Sequence, residues 1–272
     1  MGSTSHDQKA TPESPRSVVA LWDAQTGQRI GVRPVNAEVT ALVFAGGRNL
    51  VAGDSAGNLT AVDLEGDAAQ TPLGTHGAEI RSLAVSSSGV RVASAGGNEV
   101  KVWDASGWRV IATFEHPRAE AAAFRSDNRH LVTAGQDGVV RVWTIDGRTP
   151  VRVLRGQNDV IFSVAWSPAG SFIASGDQGG VVMVWDAERG TIVARLRAHA
   201  GPIRSLSFSP DGRRHHMGSR DGTVKLWDTI TWSEVAQYET DPFVGVAGFA
   251  LRGQAVAATS GPFLLIRRAA TR

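Results

Sequence analysis

The sequence predicts an all-β fold in which one small sheet is copied in tandem along 272 residues. Three observations support this class: a two-residue slot, usually Trp-Asp, ends a series of short apolar runs; its copies lie about 40 residues apart; and similar turn residues fall between them. The slots are Trp22-Asp23, Val62-Asp63, Trp103-Asp104, Trp143-Thr144, Trp185-Asp186, Trp227-Asp228 and Ile266-Arg267. A period this regular indicates one supersecondary unit that buries its apolar face against its neighbours.

The unit at residues 200–238 shows four strand signals separated by turn signals. An alternating strand at Ile203–Phe208 leads into Ser209-Pro210-Asp211-Gly212, where proline and glycine supply the backbone angles of a turn. Asp221-Gly222 suits the tight hairpin turn before a third strand at 223–227, and a fourth strand follows at 233–238. Four short strands within one period predict a small antiparallel sheet.

The other units follow the same order, with first strands at 39–44, 80–85, 119–124, 161–166 and 244–249. Before them, residues 18–22 and 28–32 are predicted to be a third and a fourth strand, and the last unit has three strands. The resulting 25 strands lie between the 24 of six four-stranded sheets and the 28 of seven. We therefore expect residues 28–32 to pair with 263–267 and complete the last sheet, with 18–22 left outside or weakly paired.

Composition narrows the classes of function. Hydrophobic residues make up 42% of the chain, and no apolar run approaches the roughly 18 residues that span a bilayer. The net charge is +2 and the arginines are spread over all repeats, so we expect neither a nucleic acid nor a membrane as partner. The absence of cysteine excludes disulfides and zinc–thiolate sites. We expect residues 1–16 to be a disordered tail, residues 17–269 to form a single domain, and the protein to be cytoplasmic.

The slots, the period and the turn residues together resemble the WD-repeat (tryptophan–aspartate repeat) β-propeller family over residues 17–269. The resemblance implies a propeller of six blade-like four-stranded antiparallel sheets, and the alternative is an incomplete seven-bladed ring. It also implies a role in protein binding, with no catalytic residue, no metal and no cofactor.

The resemblance further implies structural hydrogen-bonded tetrads: a His before the first strand, a hydroxyl in the second strand, an Asp in the second turn and the slot Trp. The matching residues, repeat by repeat, are His76, Ser94, Asn98 and Trp103; His116, Thr133, Asp137 and Trp143; Gln157, Ser175, Gly179 and Trp185; and His199, Met217, Asp221 and Trp227. Asn98 replaces the Asp, and Met217 replaces the hydroxyl. The repeat that ends at Val62 and the last repeat lack the tetrad, and these two units should be the least stable.

In this family, partners usually bind around the central channel. The matching positions are the second residue of each first strand and the residue before the second-turn Asp. We call them the rim residues: Thr40, Arg81, Glu120, Gln136, Phe162, Gln178, Arg204 and Arg220. Three arginines with one phenylalanine favour an acidic or phosphorylated peptide, because both residue types are common at binding hot spots. A solvated rim without a ligand is the alternative.

Two features leave several interpretations open. His215-His216 occupy the places of the apolar pair Ile173-Ala174, which indicates a degraded repeat, a ligand-facing polar patch or a metal site. Trp108 and Trp232 follow third strands on the opposite face, where each could anchor a partner or pack on its own sheet.

We therefore expect a non-catalytic scaffold or sensor that binds a protein or peptide and is monomeric unless its ring is open. A composition rich in Ala, Gly, Val and Arg resembles that of GC-rich bacteria and suggests bacterial signalling. Two alternatives remain: a detached fragment of a larger signalling ATPase or kinase, and an enzyme with a site in the central channel.

Overall fold

The computed structural model describes residues 17–22, 28–35, 38–45, 49–63, 70–239, 244–250, 255–260 and 263–268, with side chains at Gln28 and within 38–45, 49–62 and 70–239. Every regular element in these ranges is a β-strand, so the all-β class expected from the sequence is confirmed. Residues 1–16, the expected disordered tail, lie outside the described residues.

By compactness, the chain divides into two units, Met1–Val39 and Thr40–Arg272. The first unit contains a hairpin in which β1 (Ser17–Trp22) pairs antiparallel with β2 (Arg29–Val35). The second unit holds the strands that follow. A single domain over residues 17–269 remains a prediction.

Five antiparallel sheets of four strands follow in chain order, and we number them one to five. Sheet one contains β3 (Val39–Ala45), β4 (Asn49–Asp54), β5 (Asn58–Asp63) and β6 (Gln70–Thr75). Sheet two contains β7 (Ile80–Val85), β8 (Arg91–Gly96), β9 (Glu99–Asp104) and β10 (Arg109–Glu115). Sheet three contains β11 (Ala119–Phe124), β12 (His130–Gly135), β13 (Val140–Thr144) and β14 (Arg152–Leu154).

Sheet four contains β15 (Ile161–Trp166), β16 (Phe172–Asp177), β17 (Val181–Asp186) and β18 (Ile192–Arg197). Sheet five contains β19 (Ile203–Phe208), β20 (Arg214–Ser219), β21 (Thr223–Asp228) and β22 (Glu234–Glu239). A last sheet of three strands contains β23 (Val244–Ala250), β24 (Ala255–Ser260) and β25 (Phe263–Arg268).

The number of four-stranded sheets among the described strands is five, where the sequence led us to expect six. The expectation that residues 18–22 are left outside or weakly paired is corrected, because β1 pairs with β2 along its whole length. A hairpin between neighbouring segments costs little loop entropy, which favours the local partner. The pairing of residues 28–32 with 263–267 remains a prediction. Seven sheets, two of them incomplete, agree in number with the seven-bladed alternative.

The core lies between consecutive sheets. The second strands β4, β8, β12, β16 and β20 share one burial pattern, in which a half-buried first residue is followed by five buried ones. Each of four apolar clusters draws its side chains from two neighbouring sheets, and the slot residues Trp103, Trp143 and Trp185 are buried in them. Each sheet therefore depends on its neighbours for stability, as the tandem period predicts.

The first strands carry a repeated irregularity that determines where their side chains lie. Strands β7, β11, β15 and β19 adjoin one another in that order. Each shows a shift of register against the second strand of its own sheet, across Ile80/Ser82, Ala119/Ala121, Ile161/Ser163 and Ile203/Ser205. Such a β-bulge leaves one residue out of the ladder and redirects its side chain.

Candidate functional site

The four residues that the bulges leave out of their ladders are all rim residues: Arg81, Glu120, Phe162 and Arg204. Bulges of this kind commonly re-aim side chains beside functional sites. Because the four first strands adjoin one another, the bulges form a series along neighbouring strands.

Three further rim residues lie at the same end of these sheets. Gln136, Gln178 and Arg220 each follow a second strand, and their backbone N–H groups donate hydrogen bonds to the residue that immediately precedes a bulged first strand. The acceptors are the carbonyl oxygens of Arg118, Val160 and Pro202, at 3.1, 2.9 and 3.0 Å respectively. These bonds fix the second turn against the start of the first strand in sheets three, four and five.

Glu120 is the buried anion of this surface, with 7% of the residue exposed. One carboxylate oxygen accepts a hydrogen bond from Nε2 of Gln136 at 2.7 Å, and the other lies 4.0 Å from Nε of Arg81. Arg81 also forms an ion pair with Glu79 at 2.9 Å, and Arg118 donates to Oε1 of Gln136 at 3.3 Å. The bulge residues of sheets two and three are thus joined by a polar network.

Arg204 and Phe162 join sheets five and four. The guanidinium carbon of Arg204 lies 3.8 Å from the ring centroid of Phe162, which is a cation–π contact. Burial lowers the pKa of Arg204, the charges of Arg220 and Arg81 lower it further, and Glu120 opposes them. Its buried Nε has no hydrogen-bond partner among the described residues. This surface therefore concentrates positive charge that the protein balances only in part.

The rim residue Thr40 uses its side chain in hydrogen bonds to backbone carbonyl oxygens. Its hydroxyl donates to the carbonyl oxygen of Ile80 at 2.6 Å and lies 3.2 Å from that of Gly53. The side chain therefore ties sheet one to sheet two. Ser163 makes the equivalent bond from sheet four to the carbonyl oxygen of Ile203 in sheet five, at 3.2 Å.

The tetrad residues of sheet three lie in contact. Oγ1 of Thr133 lies 2.7 Å from Nδ1 of His116 and accepts a hydrogen bond from the indole N–H of Trp143 at 2.8 Å. Nε2 of His116 lies 3.4 Å from Asp137, whose other oxygen pairs with Arg141 at 2.7 Å. Burial and then the charge of Arg141 lower the pKa of His116 to about 4, so this imidazole is neutral at pH 7.

In sheet two, only three of the four matching residues meet. Ser94 Oγ lies 2.7 Å from Nε2 of His76 and accepts the indole N–H of Trp103 at 2.8 Å. The placement of Asn98 in this tetrad is corrected: its side-chain oxygen accepts the backbone N–H of Arg118 at 3.0 Å. Only residues 97–98 join β8 to β9, and this short turn directs the amide toward the next sheet.

Sheet four supplies a residue that the sequence reasoning missed. The hydroxyl of Ser175 donates to Gln157 at 2.5 Å and accepts the indole N–H of Trp185 at 2.9 Å. Nε2 of Gln157 donates to Asp177 at 3.1 Å, so Asp177 takes the place that the alignment gave to Gly179. Asp177 directly follows Gly176 in the second strand β16, and this position could have identified it from the sequence.

In sheet five, the His–Asp pair is present without the hydroxyl. Nδ1 of His199 lies 2.9 Å from Asp221. Met217 stands in the hydroxyl position and cannot accept a strong hydrogen bond, and the buried indole N–H of Trp227 has no partner among the described residues.

His215 and His216 are fully buried in β20, where they pair with Phe208 and Ser207 of β19. The His215 ring stacks on that of Phe208, with 4.6 Å between centroids. Full burial excludes the interpretation as an exposed ligand-facing patch. The described residues contain no group of three metal-ligating side chains. The same residues include no helix with the length and hydrophobicity of a membrane span.

The sequence reasoning also missed two charged residues at the rim, Glu79 and Arg118. Each immediately precedes a bulged first strand, and Arg118 adopts a left-handed backbone with φ of 49°. Glu79 and Arg118 would have been identified if the residue before each first strand had been considered together with the second residue within it.

Comparison with known proteins agrees with this architecture. The family model described as "WD domain, G-beta repeat" matches residues 69–104, 108–144, 148–186 and 190–228, which is just over half of the chain. The chain is 27% identical over 167 residues to Autophagy-related protein 16 of Arabidopsis thaliana, an alignment that covers 58% of this chain and 33% of that protein. It is 28% identical over 166 residues to WD repeat-containing protein VIP3 of the same plant, with 54% and 50% covered. The matches thus span at most half the length of these relatives.

Proposed function

The chain belongs to the WD domain, G-beta repeat family, and from this premise we propose that it is a non-catalytic scaffold that binds another protein or peptide on its rim residues. The observation that carries the proposal is the series of four bulges. Adjoining first strands each direct one large polar or aromatic residue out of the ladder at the same position, which a purely structural repeat does not require.

The charge of the surface supports an acidic or phosphorylated partner. The charges of Arg220 and Arg81 both lower the pKa of Arg204, and the carboxylates of Glu79 and the buried Glu120 lie beside Arg81. A partner carboxylate or phosphate would relieve this imbalance, and guanidinium groups bind both ions with paired hydrogen bonds. Phe162 offers an aromatic contact at the same place.

The proposal also covers the cellular location, the domain organisation and the biological role of the protein. We place the protein in the cytoplasm as a single β-propeller domain over residues 17–269, monomeric and without affinity for nucleic acid or membranes. Its composition supports a role in bacterial signalling, as a separate scaffold or as a segment of a larger signalling ATPase or kinase. The relatives are named for autophagy and for their repeats, and the short coverage leaves partner identity to experiment.

The test is capture of partners by the tagged full chain and by a variant with Arg81→Ala, Phe162→Ala and Arg204→Ala. We expect the variant to lose the captured proteins and keep the circular dichroism spectrum and melting temperature of the wild type. A matched control carries Ile192→Ala, Val193→Ala and Arg195→Ala on β18, where all three residues are exposed. If the rim variant captures the same proteins as the control, the rim is not the binding surface.

A further inference from the structure

Three of the sheets build the same turn between their third and fourth strands. The backbone N–H groups of Trp108, Gly190 and Trp232 donate to the carbonyl oxygens of Asp104, Asp186 and Asp228, at 2.7, 2.8 and 2.9 Å. All three residues adopt a left-handed backbone, with φ of 52°, 72° and 52°. The position therefore holds an indole in sheets two and five and no side chain in sheet four.

The two indoles fill the groove between their sheet and the preceding one. Trp232 packs against the apolar cluster of sheets four and five and meets Phe172 of sheet four edge to face, with 5.8 Å between ring centroids. Trp108 packs against the cluster of sheets one and two. Both indoles thus pack within the molecule, and their packing extends from their own sheet to the preceding one.

The groove between sheets three and four lacks this filling side chain. A Cβ atom at Gly190 would point toward sheet three, 3.2 Å from a methyl group of Leu154 and 3.9 Å from Cδ of Arg152. Beside it lies a cavity of about 650 Å³ between the two sheets. That volume is within the range of small-molecule sites, about 300–1,000 Å³.

The walls of the groove suit a flat aromatic group. Trp166 and Phe172 line it from sheet four, and Val142 lines it from sheet three. The guanidinium of Arg125 lies 5.5 Å from the Trp166 ring centroid and directly against Gly170, whose missing side chain leaves room for it. The indole N–H of Trp166 is buried and has no acceptor among the described residues.

The charges of the groove suit an anion. Three arginines and two carboxylates, those of Asp186 and Glu188, line it, and Arg125 also lies 3.6 Å from the carboxylate of Asp127. Asp186 is already engaged by the guanidinium of Arg189 at 2.9 Å and by two backbone N–H groups of its own turn. The side chain of Arg152 forms no ion pair or hydrogen bond with the residues whose side chains the structure describes.

We propose that this groove binds a planar aromatic group of about indole size that carries a carboxylate or phosphate. The aromatic ring takes the place that Trp108 and Trp232 fill in their grooves, between Trp166 and the residues of sheet three. The anionic group pairs with Arg152 at the mouth of the groove. A free aromatic acid and the terminal aromatic residue of a peptide share this chemistry. The site lies at the first and third turns and is separate from the rim residues.

The probe is N-acetyl-L-tryptophan, and its binding is followed by saturation-transfer NMR and calorimetry at neutral pH. For a ligand of this size, we expect a dissociation constant on the order of 0.1 mM. Arg152→Gln should weaken binding about tenfold, since it removes the charge-assisted bond. Arg195→Gln on β18 is the matched control and should leave the affinity unchanged. Gly190→Trp should abolish binding, because the new indole would occupy the groove. The left-handed backbone accepts Trp at the two equivalent positions, so the variant should fold.

Several outcomes would overturn the proposal. They are the absence of saturable binding by wild type, equal affinity of the Gly190→Trp variant once it is shown to be folded, and equal affinity of Arg152→Gln. Equal affinity for N-acetyl-L-tryptophanamide, which lacks the carboxylate, would exclude an anionic ligand. Tighter binding of Gly-Gly-Gly-Trp than of the probe would support a peptide terminus as the source, and the reverse order would support a free aromatic acid.

Discussion

The guanidinium of Arg204 lies over the ring of Phe162, 3.8 Å from its centroid, although burial and two neighbouring arginines lower the pKa of this guanidinium. A cation held close to like charges, with a buried Nε lacking an acceptor, weakens the fold. Such an arrangement is typical of residues retained for binding.

Arg204→Met should therefore stabilise the protein and impair partner capture. We expect the free energy of unfolding to rise by about 1 kcal/mol, because the variant removes an incompletely paired charge and keeps the apolar contact with Phe162. Urea denaturation measures the effect, and Arg195→Met at an exposed site should change stability by less than about 0.5 kcal/mol. A clear loss of stability in Arg204→Met would assign Arg204 a structural role.

Trp143 and Val62 occupy equivalent slots in sheets with and without a tetrad. Trp143→Ala should lower the free energy of unfolding by about 3–5 kcal/mol, since Trp143 is buried, stacks on Phe114 and donates to Thr133. Val62→Ala removes two carbon atoms and should cost about 2 kcal/mol. Chemical denaturation of both variants tests the order, and equal losses would contradict it.

Thr133→Val separates the hydrogen bonds of the tetrad from its packing. The two side chains have similar shapes, but the variant leaves the indole N–H of Trp143 and the imidazole of His116 without their common partner. We expect a loss on the order of 3 kcal/mol in stability and a shifted indole proton resonance for Trp143. Thr113→Val, at an exposed position in β10, is the control. A loss as small as that of the control would show that this hydrogen-bonded network contributes little.

The sequence predicted much of the fold because turns and apolar periodicity are local signals. Asp221-Gly222, the Trp-Asp slots and the strand cores depend on few neighbours, and the five complete sheets follow from them. The prediction that residues 18–22 are left outside or weakly paired was wrong, because the repeat pattern could not weigh the low loop entropy of the hairpin between β1 and β2.

The candidate site was predictable in position and less so in its contacts. The repeat alignment located Arg81, Glu120 and Arg204, because each sits at the same place in its unit. It gave no indication that β-bulges redirect these residues, since a bulge depends on pairing with a second strand. The groove at Gly190 was also missed, because its recognition requires comparison of the positions of Gly190, Trp108 and Trp232 in the folded structure.

The prediction of one domain over residues 17–269 can be tested by deletion of residues 1–33. If these residues complete the same domain, their removal exposes a sheet edge, and we expect a lower melting temperature and self-association. Thermal unfolding and light scattering after size-exclusion chromatography measure both. A deletion variant that stays monomeric with an unchanged melting temperature would separate the N-terminal hairpin from the domain.

Two buried histidines should make the protein sensitive to acid. Burial, with a contribution from His216, lowers the pKa of His215 from 6.5 to about 3, and burial with the charge of Arg141 lowers that of His116 to about 4. The unfolded chain takes up these protons below pH 6.5 and the folded chain does not. Stability is therefore fully present above pH 6.5 and falls as the pH drops toward 3–4, by about 1.4 kcal/mol per pH unit for each histidine.

His215→Leu isolates one of these contributions. The repeats place Leu131 and Ile173 at this position, so leucine suits the buried strand, and His215 has no hydrogen-bond partner among the described residues to lose. We expect a more stable protein at pH 7 and, between pH 6.5 and 5, a loss of stability smaller than that of wild type by about 2 kcal/mol. Ile173→Val, at the same strand position in sheet four, should change stability but leave its pH dependence unaltered. Urea denaturation across this pH range tests the prediction, because a His215→Leu variant with the wild-type slope would mean that His215 takes up its proton equally in the folded and the unfolded chain.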